Sequence, residues 1–141
     1  MLRLGLAVAS LTLASCARTG PNPRPPACAD SAPGRGTYEM ERVGGREAEA
    51  ATVVGLLSDV DSGAAVGPAA NVTARSPADS VLAGAAAGAS GQLAFDVAPG
   101  PMSFEATALG YVPVRTSAAT LPPGSIWVVR FRLHRACPIV G

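Results

Sequence analysis

The chain has 141 residues, of which 48% are hydrophobic, 15% are charged and 4% are aromatic, with 16 glycines and 13 prolines. This length suits one small domain. The 11 cationic side chains are all arginines and are balanced by 10 carboxylates, so the basic excess that nucleic-acid binding requires is missing. One histidine, His134, and three cysteines are few ligands for a zinc site and few bases for a hydrolase. We therefore expect no catalytic residue, no metal, no cofactor and no nucleic-acid partner.

The first 16 residues have the layout of an export signal. Arg3 precedes an uncharged apolar run over residues 4–15, and small residues precede Cys16. A membrane-spanning helix needs about 20 apolar residues, so this run is too short to be one. The three-part layout is typical of a secretory signal peptide, and we predict that residues 1–15 are removed.

The segment Leu13-Ala14-Ser15-Cys16 resembles the lipobox of bacterial lipoproteins. The resemblance implies that Cys16 carries a diacyl group on sulfur, becomes the first residue of the mature chain and is acylated again on its amine, for example with palmitate. More than one acyl chain anchors a protein stably to a membrane. In a Gram-negative bacterium, Ala17 stands where an aspartate would retain the protein in the inner membrane, so the resemblance implies the outer membrane of the cell envelope. The alternative is an ordinary secretory signal with an unmodified cysteine.

Cys28 and Cys137 then remain as an even pair of cysteines in an oxidising compartment. We expect a disulfide between them, which would join the segments that flank the folded region. Such a bond closes a loop of roughly 100 residues and stabilises the fold by at most about 4.7 kcal/mol. The alternative is two free thiols.

Residues 16–50 are rich in proline and glycine and have no sustained apolar period. This composition predicts a disordered tether, partly in the polyproline II conformation. The stretch Tyr38-Glu39-Met40-Glu41 alternates weakly, and the sequence leaves open whether it forms a short strand.

Residues 51–135 change to short apolar runs separated by turn residues, the pattern of an all-β sandwich or barrel. The alternation of Leu93, Phe95 and Val97 predicts one buried strand face. Glycines interrupt the alanine-rich stretch 85–89, which we predict to be a loop. The predicted strands cover about seven segments, in chain order 52–57, 71–75, 81–83, 92–97, 102–106, 112–115 and 126–134.

Six motifs in residues 53–133 together resemble the carboxypeptidase regulatory-like domain, a transthyretin-like accessory sandwich. They are Val54-Gly55, Val60-Asp61-Ser62-Gly63, Pro68-Ala69-Ala70-Asn71-Val72, Gly91-Gln92-Leu93-Ala94-Phe95, Pro99-Gly100 and Gly110-Tyr111. The resemblance implies a small Greek-key, prealbumin-like β-sandwich, with Gly63, Gly100 and Gly110 at turns that need positive φ. It implies no peptidase activity, because the histidine and glutamate zinc ligands of the neighbouring enzyme are missing. Ala89-Ser90 replaces the usual Asp-Gly, which predicts a looser turn.

The strongest candidate for ligand binding is a cationic strip on the last predicted strand. Arg130, Arg132 and His134 share one face, Arg135 follows, and Arg115 is a candidate neighbour. On a tethered domain, such a strip suits phosphate head groups, an anionic glycan or an acidic protein. The alternatives are a solvated outer face and charges that protect an edge strand.

The remaining candidate sites have more ordinary explanations. Asp59 and Asp61 could bind calcium, but aspartates in such a position usually form turns. His134 would be the sole base of a hydrolase. Trp127 could stack on a sugar, but its register with Val129 places it in the core.

We therefore expect a lipid-anchored cell-envelope module that binds or scaffolds a protein or envelope component. We expect the protein to contact the membrane through the lipid on Cys16. We also expect it to be a monomer. The organisation is a signal peptide (1–15), a tether (16–50), a β-sandwich (51–135) and a cysteine-bearing tail (136–141). The alternatives are a carbohydrate-binding module of the envelope and, less favoured, a hydrolase.

Overall fold

The computed structural model describes residues 36–67 and 69–136. The predicted signal peptide, Cys16, Cys28 and Cys137 lie outside the described residues. Nine strands occur within the described residues, and no helix there is long and apolar enough to cross a membrane. The strands are β1 (Thr37–Gly45), β2 (Ala51–Asp59), β3 (Ala70–Arg75), β4 (Val81–Ala86), β5 (Gln92–Val97), β6 (Gly100–Ala108), β7 (Val114–Arg115), β8 (Ala119–Leu121) and β9 (Ser125–Leu133).

The strands form two sheets that pack as a sandwich. Sheet A has the order β1-β9-β2-β5, and sheet B has the order β4-β3-β6-β7 with β8 also paired to β6. β2 and β9 are parallel, whereas the other pairs are antiparallel. The predicted all-β, prealbumin-like sandwich is confirmed, with β1 and β8 in addition to the seven predicted strands.

Alternation along the strands builds the core between the two sheets. Val53 on β2, Phe104 on β6 and Phe131 on β9 are fully buried, and burial of each such side chain contributes about 1.5–3 kcal/mol. The rings of Phe95 and Phe104 join the two sheets, with centroids 6.5 Å apart and planes tilted by 54°. The inward face predicted for β5 is therefore correct.

β1 lies inside the segment that was predicted to be tether, so the prediction of a tether over residues 16–50 is wrong at its C-terminal end. The strand pairs with β9 along its whole length. Its sequence signal is weak because only Tyr38 and Met40 are half-buried, as suits an edge strand. The Tyr38 hydroxyl also lies 2.8 Å from Ser117 Oγ and accepts the Ser117 N–H at 2.9 Å. The sandwich therefore begins at residue 37.

β4 extends to Ala86, so the predicted loop over residues 85–89 begins too early. Gly84 does not break this strand, because it lies close against β3. A Cβ at Gly84 would lie 2.8 Å from the carbonyl oxygen of Val72. The following turn is closed by a 2.9 Å hydrogen bond from Gly91 N to Gly88 O.

Three glycines have the turn conformation that the family resemblance implied. Gly63, Gly100 and Gly110 have φ angles of 71°, 139° and 83°. A side chain is strained in this region of φ, so glycine suits these turns.

Both ends of the described chain lie at the same end of the sandwich, which we call the tether end. Gly36 approaches the carbonyl group of Arg132 so closely that a Cβ would overlap with it. Ala136 N donates to Gly110 O at 2.8 Å. The opposite end, which carries loop 46–50 and turn 122–124, is called the distal end.

Candidate functional site

A groove of about 310 Å³ opens on the outer face of sheet A near the tether end. We call it the arginine groove. Arg130 and Arg132 line it together with Ser58, Ser90 and Leu56. The rest of its lining comes from Leu57, Gly63, Ala65 and Gly91. The groove therefore combines two cations, two hydroxyl groups and a small apolar surface.

The strand register explains why these side chains meet. On β9, Arg130 and Arg132 are exposed, whereas the residues that alternate with them are buried in the core. β2 runs parallel to β9 and places Leu56 beside Arg130 and Ser58 beside Arg132. The structure thus brings together Arg130 and Arg132 of the predicted cationic strip.

β1 adds carboxylates to this face that the sequence did not place there. Glu39 lies directly opposite Arg130, and Glu41 Oε2 is 3.9 Å from Arg130 Nη1. This pair is exposed and long, so it contributes little. Arg132 lies opposite Thr37 and forms no ion pair within the described parts of the chain.

Arg135 does not join the strip, because its guanidinium turns to Asp59. Arg135 Nε donates to Asp59 Oδ2 at 3.1 Å, and the Tyr111 hydroxyl donates to the same oxygen at 2.8 Å. Asp59 Oδ1 accepts the N–H groups of Asp61 at 2.9 Å and of Ser62 at 3.0 Å. The carboxylate therefore joins the turn after β2 to the loop after β6 and to the C-terminal segment.

The same hydrogen bonds explain the ionisation of this cluster. Asp59 is only 3% exposed, yet its pKa is held far below its usual range, chiefly by the Ser62 N–H and further by Tyr111 and Arg135. Burial, together with the neighbouring Asp59, raises the pKa of the Tyr111 hydroxyl. The hydrogen bond to Asp59 raises the pKa of Arg135. At neutral pH, Asp59 and Arg135 are therefore charged and Tyr111 is neutral, and their hydrogen bonds hold the three segments together.

The alternative of a calcium site at Asp59 and Asp61 finds no support in this geometry. Both carboxylate oxygens of Asp59 already accept hydrogen bonds from the protein, and Asp61 is exposed in the turn. No group of three or more histidine, cysteine, aspartate or glutamate side chains is arranged to hold a metal ion in residues 36–67 and 69–136.

Arg115 lies on β7 in sheet B and is therefore no neighbour of the arginine groove. It forms part of an ion-pair ring on the outer face of sheet B. Arg115 Nη2 is 3.0 Å from both Asp79 Oδ1 and Glu105 Oε2. Arg75 completes the ring, 3.4 Å from Glu105 and 3.7 Å from Asp79.

His134 follows β9 and is half-buried. Its Nδ1 atom is buried and has no hydrogen-bond partner among the described residues. Trp127 is half-buried against the core, as predicted, and its Nε1 donates to Ser125 Oγ at 2.9 Å. All six aromatic residues lie in the described part of the chain, and each is buried or half-buried.

Sequence reasoning did not find Ser58 and Ser90 as groove residues. Ser58 occupies an outward position of β2, and Ser90 belongs to the turn between β4 and β5. No local pattern joins these two segments to β9. Only the order of the strands in sheet A brings them to the same groove.

The fold is a small transthyretin-like β-sandwich with an open groove on one sheet. The model of the carboxypeptidase regulatory-like domain family matches residues 52–134, which is more than half of the chain. The chain belongs to this family, whose domains are in general non-catalytic. A search of curated proteins found no significant match. β1, with Glu39 and Glu41, and Arg135 lie outside the matched residues.

Proposed function

We propose that the protein is a lipid-anchored module of the bacterial cell envelope, in the outer membrane, that acts by binding or scaffolding. The observation that carries the proposal is the position of both ends of the described chain, Gly36 and Ala136, at the tether end beside the arginine groove. A chain held at Cys16 would approach the sandwich from this end. The membership of a generally non-catalytic family supports binding rather than catalysis.

The positions of Gly36 and Ala136 support the proposed disulfide between Cys28 and Cys137. Cys137 directly follows Ala136, and Cys28 precedes Gly36 by eight residues. An extended segment of this length reaches about 26 Å, which is ample for two chain ends that leave the same end of a sandwich. With this bond formed, the free leash from Cys16 to Cys28 would reach at most about 37 Å.

The geometry gives less support to the alternative of a carbohydrate-binding module. Sugar stacking needs an exposed aromatic face, and the aromatic side chains of this sandwich point toward the core. The arginines of the groove favour an anionic ligand instead.

The anchor is tested by metabolic labelling with a palmitate analogue and by cell fractionation. We expect the wild-type chain to be labelled and membrane-bound, and the Cys16→Ser variant to lose both properties. Cys28→Ser is the matched control, because it changes a cysteine of the same tether and should keep the label. An unlabelled wild-type chain, or a labelled Cys16→Ser variant, contradicts the anchor.

The disulfide is tested by thiol labelling and mass spectrometry of the exported protein. We expect no reactive thiol in the wild-type chain and one in Cys28→Ser. Loss of the bond should lower the free energy of unfolding by at most about 4.7 kcal/mol, because it constrains a long loop in the unfolded state. Two reactive thiols in the wild-type chain contradict the bond.

A further inference from the structure

We propose that the arginine groove binds the phosphate group of an anionic phospholipid and thereby docks the tether end of the sandwich on the membrane. This inference rests on the proposed lipid anchor and deepens it. The anchor would hold the domain near the membrane, whereas the groove would hold it in one orientation.

The chemistry of the groove suits a single phosphate. The guanidinium of Arg132 has no ion-pair partner in the described residues, and a planar guanidinium can hold two phosphate oxygens at once. The hydroxyl group of Ser90 lines the same groove and can donate a further hydrogen bond, while Leu56 offers an apolar surface. Ser58 also lines the groove, but its hydroxyl already donates to the Phe131 carbonyl oxygen at 3.5 Å.

The surrounding charges favour binding through a local contact between Arg132 and a phosphate over a general electrostatic attraction of the whole face. The exposed carboxylates of Glu39 and Glu41 lie on β1 beside the arginines, and Asp61 is exposed in a turn at the same end. These groups lower the positive potential of the face as a whole. Binding should therefore depend on Arg132 far more than on the number of arginines in the domain.

The position of the groove favours a membrane lipid over a dissolved molecule as the source of the phosphate. Arg132 is paired with Thr37, the residue that follows the exit point of the N-terminal segment at Gly36. The intervening residues 17–35 contain Arg18, Arg24 and Arg35 against one carboxylate, Asp30. A basic segment next to an anionic membrane is attracted to its surface.

The short tether also lowers the affinity that docking requires. A short flexible linker keeps a tethered domain at an effective concentration in the millimolar range. A groove with only millimolar affinity for a headgroup phosphate would then be occupied much of the time. A weak site, useless for a dissolved ligand, is sufficient on an anchored domain.

The test uses the full lipidated protein in vesicles of phosphatidylcholine, with or without phosphatidylglycerol. Trp127 is the only tryptophan of the chain, so it serves as the donor for energy transfer to a dansyl-labelled headgroup. We expect more transfer in the phosphatidylglycerol vesicles and less at high salt. Arg132→Gln should weaken docking by about fivefold, the effect of one cation near an anionic surface.

Arg42→Gln is the matched control, because it removes the same charge from an exposed arginine on the distal half of β1. Since Arg42 lies opposite Trp127, the transfer of each variant is expressed relative to the same variant in vesicles without phosphatidylglycerol. It should leave the transfer unchanged. Arg132→Lys keeps the charge but loses the two-point contact, so its docking should lie between those of the wild-type chain and Arg132→Gln. Thermal unfolding checks that each variant is folded.

Two results would overturn the proposal, and a titration with glycerol phosphate distinguishes the reasons for the first. Equal transfer in both types of vesicle would exclude docking on anionic lipid, and equal effects of Arg42→Gln and Arg132→Gln would exclude the groove. If glycerol phosphate shifts the Arg132 NMR signals but the vesicles give equal transfer, the groove binds dissolved phosphate rather than the membrane. A chain without palmitate instead refutes the anchor, and the glycerol phosphate titration still reports on the groove separately.

Discussion

The outer faces of the two sheets both carry arginines, but they pair these arginines differently. On sheet B, Arg75 and Arg115 share Glu105 and Asp79 in a closed ring with N···O distances from 3.0 to 3.7 Å. On sheet A, Arg130 has a single contact of 3.9 Å with Glu41. Arg132 has no such contact within the described residues. The charge of sheet B is therefore neutralised internally, and part of the charge of sheet A remains available.

This difference shows that burial of the carboxylate, together with register, decides which arginines are neutralised, because Glu39 also lies opposite Arg130 but is exposed and forms no ion pair with it. Glu105 lies opposite Arg115 in the ladder between β6 and β7, and its side chain is only 20% exposed. Glu41 is 66% exposed and lies opposite Val128 rather than an arginine. Ion pairs that are sheltered from water and directly opposite each other are stronger than exposed, diagonal ones.

Among substitutions in the sandwich, the largest effect is expected from Asp59→Ala, which removes the ion-pair partner of Arg135. The free energy of unfolding should fall by about 3 kcal/mol, because the Tyr111 hydroxyl and two turn N–H groups lose their acceptor. Urea denaturation measures the change. Asp61→Ala, an exposed neighbour in the same turn, should change stability by less than about 0.5 kcal/mol. Equal effects of the two variants would contradict the assigned role of Asp59.

The lowered pKa of Asp59 makes this contribution depend on pH. As pH falls below the ordinary carboxyl pKa of 3.8, the unfolded state takes up the proton first, so the stabilisation is complete above this pKa and is lost below it. Urea midpoints of the wild-type chain should therefore fall more steeply below about pH 4 than those of Asp59→Asn. Parallel pH profiles would show that Asp59 is not the responsible group.

On sheet B, Glu105→Gln should lower the free energy of unfolding by about 1–2 kcal/mol, because two arginines lose a partly buried partner. Glu41→Gln is the matched change on sheet A and should cost less than about 0.5 kcal/mol. Chemical denaturation at low and high salt measures both. Equal destabilisation of the two variants would contradict the inference that the ion pairs of sheet B stabilise the fold more than the ion pair of sheet A.

The smallest expected effect is the difference in the free energy of unfolding between variants of two surface arginines, Arg132 and Arg115. Arg132→Gln should change the free energy of unfolding by less than about 0.5 kcal/mol, since no ion pair within the described residues is lost. Arg115→Gln should cost about 0.5–1 kcal/mol, because it opens the ring of sheet B. Calorimetry on both variants measures the difference. A larger loss for Arg132→Gln would mean that this arginine has a structural partner.

The predictable strands are those with one clearly buried face. The alternation in β2, β5, β6 and β9 is strong because each contributes side chains to the core. β1 gives a weak signal, because it is an edge strand held mainly by its pairing with β9, and β8 has only three residues. Only the second half of β4 was missed, because Gly84 marks a close approach to β3 rather than a break in the strand.

The candidate site was predictable only in part. Arg130 and Arg132 follow from alternation on β9, because neighbours two apart share a face. No local pattern predicts that Arg135 lies outside the cationic strip, because its partner Asp59 is 76 residues away in the sequence. Arg115 is separated from the groove for a similar reason, since β7 belongs to the other sheet.

The sequence by itself determined the all-β fold, the buried strand faces and the outward position of two arginines, because period-two patterns and turn residues act over short distances. It also carries a segment that resembles a lipobox and two further cysteines, whose proposed roles the experiments test. Only the tertiary structure decided which arginine remains available, because charge neutralisation depends on pairs such as Arg75 and Glu105, which are 30 residues apart. Such pairs form only when the sheets align their strands in register.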